Sequence, residues 1–173
     1  YSVNARGLFF LMQAAATAMR DQGEGGRIVN IASIAGKGYR GTSNVAYAGT
    51  KGAVIAMTRQ MAVDYASHNV RCNALCPGFV DTPFNNGFEH QMGGRRALEE
   101  YVTRNIPMGR WGTAEEIARG IVFLASDQSS FMTGHALVNT LVAAAVLLPG
   151  RPGAFKCAGR VGHLLHPFVA RFG

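Results

Sequence analysis

Arg27-Ile28-Val29-Asn30-Ile31-Ala32-Ser33 is a short apolar run after the breakers Gly25-Gly26, and it predicts a buried strand. Residues 45–66 predict a helix, with Val54, Met57, Met61 and Tyr65 on one stripe and Ser43 or Asn44 as N-cap. Val70-Arg71-Cys72-Asn73-Ala74-Leu75-Cys76, stopped by Pro77-Gly78, predicts a second strand. Strand, helix and strand in this order form a parallel unit with a right-handed crossover. The helix of such a unit starts near the carboxyl edge of the first strand. Ser33, the first turns of the helix and Pro77-Gly78 therefore share the edge where open parallel sheets bind ligands.

Tyr47 and Lys51 lie four residues apart, on one face of that helix and one turn from each other. A phenol is a poor acid at neutral pH, with a pKa of about 10. A fixed ammonium nearby favours the phenolate and lowers that value. A hydroxyl from Ser33 beside the phenol would hold a substrate oxygen, which makes a proton-transfer site for carbonyl–alcohol chemistry. Tyr47 alone reads as a core aromatic and Lys51 alone as a solvated charge. Ser33 and Pro77-Gly78 at neighbouring strand ends reverse that balance.

Six motifs stand in order along the chain: Val3-Asn4-Ala5-Arg6-Gly7, residues 26–33, the Tyr47/Lys51 pair, residues 73–82, Pro107-Met108-Gly109-Arg110-Trp111-Gly112, and Leu124-Ala125-Ser126-Asp127 leading to Thr133-Gly134. In these motifs the chain resembles the classical short-chain dehydrogenase/reductase family over residues 1–138. The resemblance implies an α/β fold, the C-terminal half of a Rossmann-like doubly wound parallel sheet. It divides the chain into a partial NAD(P)-binding domain, residues 1–138, and a divergent tail, residues 139–173, that need not be ordered. It implies hydride transfer between NAD or NADP and a secondary alcohol or ketone. Tyr47 would be the general acid/base, Lys51 would lower the phenol pKa and hold the nicotinamide ribose, and Ser33 would orient the carbonyl. Asn4 would hold a water linking Lys51 to solvent. Pro77, Gly78, Val80 and Thr82 would line the nicotinamide and its phosphates. The helices at 2–20 and 45–66 carry many small residues, and relatives pair such helices across subunits, so a homo-oligomer (tetramer or dimer) is expected.

The glycine-rich front of such a domain is not recognised in this sequence. Gly36-Lys37-Gly38-Tyr39-Arg40-Gly41 fits G-x-G-x-x-G, but its third glycine does not open the helix and the next strand ends in no acid, so it reads as a loop. The chain by itself is therefore expected to bind no cofactor and to dissolve poorly, and a non-catalytic fragment is the competing reading. Use of the same tyrosine for dehydration or epimerisation is another. After Val138 the family pattern stops. A reading-frame change near codon 139, a divergent tail and a segment for assembly would each account for residues 139–173.

Composition limits the other classes. The chain has 173 residues, 48% hydrophobic and 16% charged, enough for one domain with a core. The longest apolar run, residues 141–148, has eight residues, far short of the roughly 20 of a membrane span. No signal peptide is evident at Tyr1-Ser2-Val3-Asn4, which makes a cytoplasmic protein with no membrane partner the default. The net charge of +7 is uneven, with +4 of it in residues 139–173, so a basic nucleic-acid face is not favoured. Cys72 and Cys76 sit roughly 13 Å apart on a strand, too far for a disulfide. His163 and His166 lack other metal ligands around them, and no metal is expected.

The remaining elements are set by local signals. Residues 1–20 predict a helix with Leu8, Leu11, Ala15 and Ala18 inward, ended by Asp21-Gln22-Gly23. Thr82-Pro83 reads as a helix start, and residues 83–112, with Phe84, Phe88, Met92, Tyr101 and Met108, read either as a mobile substrate lid over a mainly apolar pocket or as an ordinary helical excursion. Thr113-Ala114-Glu115-Glu116 is a capping box before a helix presenting Ile117, Ile121 and Leu124. Residues 131–138 predict a last strand.

Overall fold

The computed structural model describes residues 1–39 and 43–140, with Asn86 described in its backbone only. Arg40 and Gly41 of the glycine-rich loop, the apolar run 141–148, Cys157, His163 and His166 lie outside the described residues.

Strand β1 (Gly26–Ile31) pairs in parallel with β2 (Val70–Cys76), Gly26 opposite Val70 through to Ile31 opposite Leu75. Strand β2 pairs in parallel with β3 (Ala136–Val138), so the described sheet has three strands in the order β1-β2-β3. Every residue of β2 is buried, as expected of a central parallel strand covered on both faces. Its side chains alternate. Cys72, Ala74 and Cys76 meet helices α1 (Leu8–Gln22) and α2 (Val45–Tyr65), packing with Met12, Val54, Ile55 and Ala62. Arg71 and Leu75 face helix α5 (Ala114–Ala125): Arg71 donates to the carbonyls of Leu124, Ser126 and Ser129, and Leu75 lies against Gly120. Helices therefore cover both faces of this parallel sheet, the doubly wound α/β arrangement expected.

The two predicted strands and the helix between them form where expected. Asn44, not Ser43, caps α2 by accepting from the Tyr47 N–H, and a 3-10 turn, Ala66–His68, prolongs the helix. The Thr113 capping box is complete, with Glu116 returning a bond to the Thr113 N–H. Its carboxyl is held down to about 2 by Arg110, which grips both oxygens, and by the Thr113 amide.

Two expectations fail. Helix α1 turns Leu8, Met12 and Ala16 inward, while Leu11 is 68% exposed and Ala18 also faces out. The helix is apolar nearly all round, so spacing alone does not choose the stripe. The last strand spans only Ala136–Val138, and Phe131 stands fully exposed. Before it the chain turns at Gly134, whose φ is +71°. There the Asn73 side chain adds to the backbone bonds with β2, donating to the Met132 carbonyl and accepting from the His135 amide.

Beyond β2 the chain leaves the sheet. A short 3-10 turn (Pro83–Asn85) leads into α3 (Asn86–Met92) and α4 (Arg95–Asn105). Their core is separate from that under α1 and α2: Ile34, Phe79, Leu98, Val102 and Ile106 are buried together with Phe88, Tyr101 and Trp111 against them.

Candidate active site

Ser33 follows the carboxyl end of β1. The Ala32 amide still donates to the Leu75 carbonyl at 2.8 Å, and the Ile34 amide to Pro77 at 3.1 Å, so both strand ends are tied together here. The Ser33 hydroxyl accepts from the Ala35 amide at 3.1 Å and caps a 3-10 turn, Ile34–Lys37. Tyr47, on the first turn of α2, lines the same cavity as Ser33, and its phenol lies within the influence of the Ser33 hydroxyl. Burial pushes the half-buried phenol above its ordinary value, and the Ser33 hydroxyl pulls it partly back.

Lys51 lies one turn on, its Nζ 5.7 Å from the centre of the Tyr47 ring. It donates to the Ile31 carbonyl at 2.8 Å, which anchors α2 to the end of β1. Burial pulls this ammonium below its ordinary value, an effect the Cys76 thiol group partly opposes. In this geometry the phenol responds chiefly to burial and to Ser33, not to Lys51.

The three side chains line a cavity of about 550 Å³. Pro77, Gly78, Val80 and Thr82 form its second wall, on the loop leaving β2. That loop is held by Gly112, which donates to the Phe79 carbonyl and accepts from the Asp81 amide, both at 2.9 Å. Phe84, Asn85, Phe88 and Gln91, from the segment predicted as a lid, close the far side. Asn4 stands apart from this lining. It sits half-buried in a π-helical turn, Ser2–Gly7, a local form frequent at functional sites. Its amide donates to Thr50 Oγ1 at 3.3 Å, and Thr50 donates to the Tyr47 carbonyl at 2.8 Å. Asn4 thus reaches α2 between Tyr47 and Lys51.

Sequence reasoning missed Phe79, Asn85 and Gln91 in the lining. It also missed Arg95, which fastens the far wall: it donates to Glu99 (2.8 Å), Asp81 (3.1 Å) and Glu89 (3.2 Å), and its guanidinium lies 5.1 Å from the Trp111 ring centre. Phe79 stands between Phe88, Tyr101 and Trp111, with ring centres 5.7–6.0 Å away. Arg95, Glu89 and Glu99 stand in one charged stretch that reads as a solvated helix face. Among the described residues no cluster of His, Cys, Asp and Glu could hold a metal ion, and no helix is long and apolar enough to cross a membrane.

The cavity suits a nicotinamide nucleoside: an ammonium and hydroxyls lie along one side, and apolar Ile31, Pro77 and Val80 along another. Residues 1–140 match the family described as enoyl-(acyl carrier protein) reductase. The chain is 39% identical over 137 residues to 2-keto-3-deoxy-L-fuconate dehydrogenase of Xanthomonas campestris pv. campestris, covering 78% of this chain and 45% of that protein. It is similar to the crystal structure of a short-chain type dehydrogenase/reductase from Mycobacterium marinum, with a TM-score of 0.68 and 38% identity, covering 78% of this chain and 51% of that one. It is also similar to gluconate 5-dehydrogenase of Burkholderia cenocepacia J2315 in complex with NADP and tartrate, with a TM-score of 0.71 and 35% identity, covering 79% and 51%. The chain thus spans about half the length of these relatives. With a doubly wound parallel sheet, serine, tyrosine and lysine at its carboxyl edge, and a family match over residues 1–140, the chain belongs to the short-chain dehydrogenase/reductase family.

Proposed function

We propose that the complete protein carrying this chain is an NAD- or NADP-dependent oxidoreductase that interconverts a secondary alcohol and a ketone. The observation that carries this reading is the meeting of Ser33, Tyr47 and Lys51, one turn on from Tyr47, in one cavity at the carboxyl edge of β1 and β2. Bound nicotinamide supplies or takes up the hydride at the carbonyl carbon. Tyr47 gives the proton to the carbonyl oxygen in reduction and removes it from the hydroxyl in oxidation. Ser33, beside the phenol in the same lining, orients the substrate oxygen. Lys51 holds the nicotinamide ribose and favours the phenolate once the ribose replaces its bond to Ile31. Pro77, Gly78, Val80 and Thr82 hold the nicotinamide and its phosphates. Asn4 holds the water that connects Lys51 to solvent.

The cavity's far wall, with Phe84, Phe88 and Phe79, favours substrates with an apolar substituent. Helix α1 leaves Phe9, Phe10 and Leu11 largely exposed, which supports a homo-oligomer built on this face; a monomeric mass at micromolar concentration would argue against it. A cytoplasmic location is the matching proposal.

The test is turnover of a ketone panel with NADH and NADPH in the complete protein and its Tyr47→Phe variant. Tyr47→Phe should lose about 10²- to 10⁴-fold in kcat while cofactor affinity changes less than threefold. Turnover within a factor of two of the parent would remove Tyr47 from the mechanism.

A further inference from the structure

We propose that Gly36 is a positioning residue of this site: its missing side chain sets the spacing between the Ser33 hydroxyl and the Tyr47–Lys51 face of α2. The inference rests on the reading of Tyr47 as acid/base. The sequence presents Gly36 only as part of a loop rich in glycine. Its place in the fold is more demanding. A Cβ on Gly36 would lie 2.5 Å from the Lys51 carbonyl carbon, 2.6 Å from its oxygen and 2.8 Å from the Gly52 nitrogen. All three atoms belong to the peptide that follows Lys51, so no side chain can swing aside. Gly36 does not need glycine for its backbone angle, unlike Gly38, whose φ is +79° and whose Cβ would meet open space. The contact is also one-sided: a Cβ on Gly52 would stand 3.6 Å from the Gly36 carbonyl, an ordinary distance.

Relief of a clash at Gly36 has two routes, and both cross the site. In the first, the 3-10 turn Ile34–Lys37 withdraws. It begins at Ser33, is pinned by the Ile34–Pro77 hydrogen bond, and buries Ile34 and Ala35, so Ser33 moves with it. In the second, α2 withdraws. Its buried Val54, Ile55 and Thr58 resist, and Tyr47 and Lys51 travel with the helix. Either way the Ser33 hydroxyl and the Tyr47 phenol move apart. Moving from 2.5 Å to an ordinary contact takes roughly 1 Å, a displacement that costs about 10²-fold in rate when it misplaces reacting groups.

The experiment compares Gly36→Ala, Gly52→Ala and Gly38→Ala in the complete protein. Gly36→Ala should lower kcat by about 10²-fold, with a smaller loss of cofactor affinity, because Lys51 rides on α2 and Ile34 is tied to Pro77. Moving the Ser33 hydroxyl away from the phenol should also move the phenol's limb of the pH profile to higher pH. In a Ser33→Ala background the same substitution should cost less than threefold in kcat, because the two act through one contact. Gly52→Ala should keep the parent kcat. Gly38→Ala should lower the melting temperature through backbone strain and leave the pH profile in place. A Gly36→Ala protein within threefold of the parent kcat overturns the proposal, and so does an undiminished cost in the Ser33→Ala background. So does a variant that fails to fold, because the contact would then serve the fold and not the site. Retained turnover in Tyr47→Phe would instead overturn the functional reading on which the inference stands.

Discussion

The two walls of the cavity are built differently. The wall of Ser33, Tyr47 and Lys51 stands on β1, β2 and α2, joined by backbone hydrogen bonds over a core of Val54, Ile55, Ala74 and Cys76. The wall of Phe84, Phe88 and Gln91 stands outside the sheet. It is held by ring contacts to Phe79 and by Arg95, an exposed guanidinium shared among Asp81, Glu89 and Glu99. Exposed ion pairs are individually weak and respond to salt, whereas buried parallel strands do not depend on them. The groups proposed for proton transfer therefore sit on the part that holds its geometry, and the groups that would meet the substrate's substituent sit on the part that yields.

The contrast breaks first if the rigid wall proves dispensable. Lys51→Met should weaken cofactor affinity about 10- to 100-fold, the scale of a hydrogen bond to a charged group, and should also lower kcat. A fall in kcat with unchanged cofactor affinity, read by nicotinamide fluorescence, would take the ribose contact away from Lys51.

On the other wall, Arg95→Met should raise the substrate KM roughly three- to tenfold, with kcat within twofold, the scale of one weakened contact network. The parent KM should rise with added salt and the variant's should not. An equal fall in kcat would show that Arg95 reaches the chemistry after all.

The buried sheet gives a pH signature of its own. Burial pushes the Cys72 thiol up to about 12 from an ordinary 9.0, against a small downward pull from Asn30. The unfolded thiol ionises first as pH rises, so this contribution is complete below about pH 9 and is lost progressively towards pH 12, a few kcal/mol in all. Cys72→Ala should start less stable at neutral pH, by roughly 1 kcal/mol or more for the lost packing. Its unfolding free energy should then fall less steeply from pH 9 to 11. Parallel curves for the two proteins would mean that the thiol is not desolvated.

What could be read from the sequence divides along the same line. The strands 26–31 and 70–76 and the helix 45–65 are legible through apolar runs, breakers and a cap, because each is fixed by its own residues and buried by its neighbours. Ser33, Tyr47 and Lys51 come from the edge that these elements share. The α1 stripe does not emerge this way, since Leu8, Leu11 and Met12 are all apolar and only packing decides among them. The last strand is shorter than expected because the chain is still turning before it, the Met132 amide bonding the Ser129 carbonyl and Gly134 following at positive φ. Arg95 and Gly36 are hidden for different reasons. One gathers partners from separate segments, and the other matters through a distance between two backbones.

The central claim is hydride transfer at this edge, and isotope transfer tests it most directly. The complete protein should be given a ketone and reduced nicotinamide cofactor carrying deuterium at C4, and the alcohol examined by mass spectrometry and proton resonance. Hydride transfer at this edge places one deuterium at the carbinol carbon, from one face of the cofactor only, and Tyr47→Phe forms labelled alcohol about 10²-fold or more slower. Alcohol formed without deuterium, or formed equally well by Tyr47→Phe, would contradict it.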